Sequence, residues 1–108
     1  MEPFIGEFNR KLDEKYRVSV PSKFKGLFQG QTQRELIIRR GKNCLILQTV
    51  EGYRQLPKDI KDSIDAEKVI VDNKNRMVIP ERFRDTFKIG EKLSFKGGET
   101  YVELRLTK

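Results

Sequence analysis

One nine-position motif occurs twice. Asp13-Glu14-Lys15-Tyr16-Arg17-Val18-Ser19-Val20-Pro21 returns as Asp72-Asn73-Lys74-Asn75-Arg76-Met77-Val78-Ile79-Pro80, one D-x-K-x-R-φ-x-φ-P motif with φ apolar. The same offset of 59 positions then sets Phe24 against Phe83 and Phe28 against Phe87, with Lys23/Arg82 and Lys25/Arg84 also in step. A fixed internal period outranks any local signal, because each copy must find the same small structure. The chain reads as two copies of one unit: residues 4–50, a linker over 51–67 that is one or two short helices or irregular, and residues 68–108.

Size makes the copies dependent on each other. With 108 residues in all, each half is near the length at which a lone core becomes marginal. Apolar and charged residues each make up 36% of the chain, thin core material for a free-standing monomer. Interlocked halves and assembly of subunits are both expected.

Within each copy the apolar periods predict strands around a turn. Phe4, Phe8 and Leu12 alternate with Glu7, Asn9 and Lys11, as a half-buried strand over 4–12 requires. After a turn at Asp13–Tyr16, Val18 and Val20 take one face and Arg17 and Ser19 the other, which predicts a local hairpin. Pro21 ends the strand, and Phe24, Leu27 and Phe28 predict a short amphipathic helix. Leu36–Arg39 and Cys44–Gln48 then flank Arg40-Gly41-Lys42-Asn43, which has turn composition. The second copy repeats this with Val69–Val71, Met77–Ile79, a helix carrying Phe83 and Phe87, and strands at 92–96 and 101–106 around Gly97-Gly98. The fold class expected is mostly β with short helices, α+β.

In the motif, Asp13 and Asp72 begin the turn, where a carboxylate accepts backbone N–H groups two or three residues on. Arg17 and Arg76 follow it on the strand face opposite their apolar neighbours. A guanidinium so placed can clamp phosphate or pair bidentately with guanine, and Lys15 and Lys74 in the turns add point charges suited to phosphate. The simpler reading is an internal ion pair between each Arg and its own Asp, and the two readings are compatible. Lys23, Lys25, Arg82 and Arg84 read as a solvated helix face.

The formal charge of +7 points to polyanions, and the surplus sits mostly in the first fifty residues. Catalytic signals are thin. The chain has no histidine and no phosphate-binding glycine loop or nucleophile elbow, so neither an enzyme, a cofactor, a metal nor a small-molecule substrate is expected. The single Cys44 lies in an apolar run and reads as a core thiol in a reducing compartment. No signal pattern opens the sequence and no apolar run suits a membrane, so a cytoplasmic location is expected.

The paired motifs, with Gly6-Glu7-Phe8 before the first and Ser22-Lys23-Phe24 after it, resemble the MraZ family, which is built from two tandem SpoVT-AbrB-like units. The resemblance runs from Phe4 to Leu106. It implies swapped hairpins that interdigitate in a double-psi-like β-barrel. It further implies a bacterial regulator, usually a repressor of the division and cell-wall gene cluster, bound at the nucleoid to repeated promoter sites on double-stranded DNA as a homo-oligomer of ring form. The family's DNA-contacting arginine carries over to Arg17 and Arg76. The family's glycine before that arginine is Tyr16 here in one copy and Asn75 in the other, which implies a different first turn. The rival reading is an AbrB-like structural or interaction module of antitoxin type. Basic charge also permits RNA as the polyanion.

Overall fold

The computed structural model describes residues 6–28, 33–98 and 101–107, residue 25 by its backbone alone. The expected strand start at Phe4, the side chain of Lys25 and the residues around Gly30 lie outside this set. The motif turns join strands on either side of them. β1 (Glu7–Lys11) leads through the first turn to β2 (Arg17–Ser19), and β5 (Ala66–Ile70) through the second to β6 (Arg76–Val78). Two longer pairs complete the β structure: β3 (Glu35–Gly41) with β4 (Cys44–Gln48), and β7 (Lys92–Gly97) with β8 (Tyr101–Leu106). Two short helices, α1 (Val50–Arg54) and α2 (Lys58–Ser63), connect the halves.

Pairing crosses between the copies. Six strands form one sheet in the order β1-β7-β8-β4-β3-β5, antiparallel at each pairing, while β2 and β6 form a separate two-stranded ribbon. Exchanging the copies turns this order into itself, because β1 of the first half lies on β7 of the second and β5 of the second lies on β3 of the first. The local hairpin expected of β1 and β2 is therefore a correction: the chain reverses at the turn, but each strand takes its ladder from the other half. The reason lies in the apolar face of β2. Val18 and Val20 are buried together with Met77 and Ile79, so the two short strands shield one another where neither has a core of its own. The ribbon bonds reach into the opposite turns, Val20 N–H donating to Asn75 O at 2.7 Å and Ile79 N–H to Tyr16 O at 2.8 Å. The architecture is mostly β with short helices, as expected. The sheet is open at β1 and β5 in its backbone pairing among the described residues.

The expected amphipathic helices are tighter than predicted. Ser22–Leu27 and Glu81–Phe83 are 3-10 helices, started by Phe24 N–H on Pro21 O and Phe83 N–H on Pro80 O, each at 2.9 Å. In this geometry residues three apart eclipse. Phe24 and Leu27 accordingly both reach the core, and Phe24 meets Phe8 edge-on at 5.5 Å between centroids. β3 also runs further than the turn composition suggested: Gly41 pairs with Cys44, and Lys42-Asn43 alone make the reversal, Asn43 at a φ of 59°. Cys44 is buried, and burial pushes its thiol pKa up.

Candidate nucleic-acid interface

Each motif Asp builds its turn with both carboxylate oxygens. Asp13 Oδ1 accepts the N–H groups of Lys15 at 2.8 Å and Arg17 at 2.9 Å; Asp72 Oδ1 accepts those of Lys74 at 2.9 Å and Arg76 at 2.8 Å. The second oxygen takes the arginine side chain, Arg17 Nε on Asp13 Oδ2 at 2.8 Å and Arg76 Nε on Asp72 Oδ2 at 3.1 Å. Backbone bonds close each loop, from Asp13 N–H to Arg17 O and from Asp72 N–H to Arg76 O. Donors converging on a carboxylate favour its charged form. Both carboxyl groups are held below the ordinary aspartate pKa, first by the backbone N–H of the motif arginine, against a smaller opposing effect of desolvation.

The ion pair leaves most of each guanidinium available. It engages Nε alone, and among the described residues the Nη groups of Arg17 and Arg76 donate to no protein acceptor. Each arginine side chain keeps 30% of its surface exposed. Position then follows from the ribbon: Arg17 stands opposite Val78, Val18 opposite Met77, and Ser19 opposite Arg76. Val18 and Met77 are buried, so the alternation of a strand turns Arg17, Ser19, Arg76 and Val78 to the other face. One outward surface thus carries both motif arginines, related by the exchange of copies. Lys15 and Lys74 are exposed at its two ends. A hollow of about 510 Å³ beside the first turn is lined by Lys11, Asp13, Lys15 and Arg17.

No family model matches the chain. Among curated relatives it is similar to the transcriptional regulator MraZ of Rhodospirillum rubrum, with 28% identity over 116 residues covering 90% of this chain and 75% of the relative. It matches the transcriptional regulator MraZ of Acetivibrio thermocellus at 28% over 116 residues, covering 94% and 79%. The same-named protein of Mycoplasmoides gallisepticum matches at 28% over 117 residues, covering 94% and 80%. The chain is thus similar to MraZ transcriptional regulators over nearly its whole length.

The residues just before the two motif arginines, Tyr16 and Asn75, behave alike. Tyr16 has a φ of 57° and Asn75 of 62°, with matching backbone bonds, so the first turn does not differ as its sequence implied. A left-handed residue with a bulky side chain carries strain of roughly 1–3 kcal/mol. At Tyr16 that strain is met by packing on the core and by Arg84, whose guanidinium lies 4.4 Å above the ring while its Nε donates to Ile79 O at 3.0 Å. Arg84 is half-buried in this role rather than part of the solvated helix face expected of it.

The second turn is braced by a different residue. Arg34 Nη1 donates to Asp72 O at 2.7 Å and its Nη2 to Asn75 Oδ1, with the guanidinium 4.7 Å from the centre of the Phe28 ring. Arg34 itself has a φ of 52°. Nothing in the motif singles it out: it lies in a polar segment some forty positions before the turn it holds, and only the crossed pairing brings it there. Arg82 bonds Ala66 O and pairs with Glu67, while Lys23 is exposed. Among the described residues no group of His, Cys, Asp or Glu is arranged to hold a metal, and no helix is long and apolar enough to cross a membrane.

Proposed function

We propose that this chain is a sequence-specific DNA-binding transcriptional regulator. In this reading it is a repressor of the division and cell-wall gene cluster, acting at the nucleoid, that grips repeated promoter sites as a homo-oligomer through Arg17 and Arg76. The observation that carries the reading is the pair of guanidinium groups on one outward ribbon face, each oriented by its own aspartate and each with Nη donors to spare. A two-stranded ribbon fits the major groove, where arginine pairs with the O6 and N7 of guanine. Lys15 and Lys74 flank this face as phosphate contacts that fix register. The name of the relatives, transcriptional regulator, and the charge of +7 support the same reading. Asp13 and Asp72 act as turn builders, touching no DNA.

One ribbon covers few phosphates, so affinity is built by several protomers on adjacent sites, the second engaging at high effective concentration. The test is a gel shift on duplex DNA from upstream of the protein's own gene, with R17A/R76A as the comparison. Wild type shifts the DNA more tightly as repeat number rises. The double variant keeps its circular dichroism and assembly state but loses the shift. A double variant that binds like wild type excludes the reading.

A further inference from the structure

We infer that Ser19 and Val78, the two unlike residues between the motif arginines on the outward ribbon face, make the DNA site of each protomer lopsided, with thymine selected beside one arginine only. This rests on the proposed reading that the ribbon face enters a major groove. The exchange of copies carries position 19 onto position 78, so the ribbon would present two identical halves if these residues matched. They do not match. Val78 is 45% exposed directly across from Arg17, and Ser19 stands directly across from Arg76.

Opposite residues in an antiparallel pair have Cβ atoms roughly 5 Å apart, little more than the ~3.4 Å step between base pairs. A base edge beside the one read by Arg17 therefore falls under Val78. The apolar target in a major groove is the C5-methyl of thymine, which valine can cover, whereas a serine hydroxyl bonds donors and acceptors alike and discriminates little. A lone exposed valine on a surface is ordinary. This one is set apart because its repeat mate is polar and both neighbours on its face are the arginines of the proposed site.

Selection from a random duplex library, with wild type, V78S and S19V compared, tests this. Wild type should enrich a guanine at each arginine but a thymine beside only one. V78S should lose that thymine preference, and S19V should gain a second. Replacing the selected thymine by deoxyuridine, which deletes the methyl alone, should weaken wild type about fourfold and leave V78S unchanged, the fold-change of one buried methylene-sized group. V78S enriching the wild-type sequence, or deoxyuridine acting equally on both proteins, overturns the inference while leaving the arginine reading intact. Specific binding that survives in R17A/R76A, or a wild type that enriches no sequence, overturns the proposed function and this inference with it. Thermal unfolding of V78S and S19V at the wild-type midpoint confirms that the fold is not what changed.

Discussion

At the scale of single residues, the motif is a device for presenting a guanidinium. The aspartate spends three hydrogen bonds per copy on the turn and its arginine, which fixes where the arginine starts and which way it leaves the strand. Because the folded pKa values of Asp13 and Asp72 are lowered, the native state binds fewer protons than the unfolded chain in acid. Their stabilisation is complete above the ordinary aspartate value, about 4, and is lost as pH falls through the lowered native values. Urea midpoints measured from pH 6 to pH 2 should therefore fall less steeply in D13N/D72N than in wild type. The left-handed position supplies a second expectation. N75G should be close to neutral in urea unfolding, since relief at a φ of 62° offsets the bond lost to Arg34. N75A loses the same bond while adding a Cβ in the left-handed region, and should destabilise by about 1–2 kcal/mol.

At the scale of elements, the two turns share a backbone but are braced differently, Tyr16 beneath Arg84 and Asn75 against Arg34. R34A should leave the first turn alone and loosen the second. Amide hydrogen exchange should speed at Lys74 and Arg76 while Lys15 and Arg17 keep wild-type rates, and DNA affinity should fall less than in R76A. Much of this level was legible beforehand. Period-two alternation located β1, the turn-like loop at 40–43 located β3 and β4 on either side of it, the repeat located β8, and the repeated motif located both turns and the arginines that leave them. What sequence could not supply was the partner of each strand: the apolar faces of Val18 and Met77 are satisfied by any neighbour, and whether that neighbour is local or in the other copy depends on the whole core. The same gap hid Arg34 and Arg40, whose contacts span about forty residues. Arg40 bonds Arg82 O and Thr86 Oγ1 and pairs with Asp65 and Asp85, tying β3 of the first half to the second. The phenylalanine-bearing helices differ in kind from the expectation because a four-residue spacing is that of an α-helix, whereas the second phenylalanine of each pair, Phe28 and Phe87, lies beyond the short 3-10 turn.

At the scale of the whole molecule, duplication and exchange are one solution to the shortage of core. Each half supplies an outer strand to the other's hairpin, β4 and β8 join at the centre, and the large buried residues Phe24, Phe83 and Phe95 come from both halves. The outward ribbon is a by-product of that exchange, since β2 and β6 meet only when the halves interlock. It is the surface on which the account of function stands. The most direct test is to titrate isotope-labelled protein with duplex DNA selected by its own affinity and follow the arginine Nε–H resonances. The signals of Arg17 and Arg76 should shift together and in proportion to bound duplex, while Arg54 and Arg105, exposed elsewhere, stay in place. Saturation of binding with the Arg17 and Arg76 signals unmoved would contradict the proposed contact.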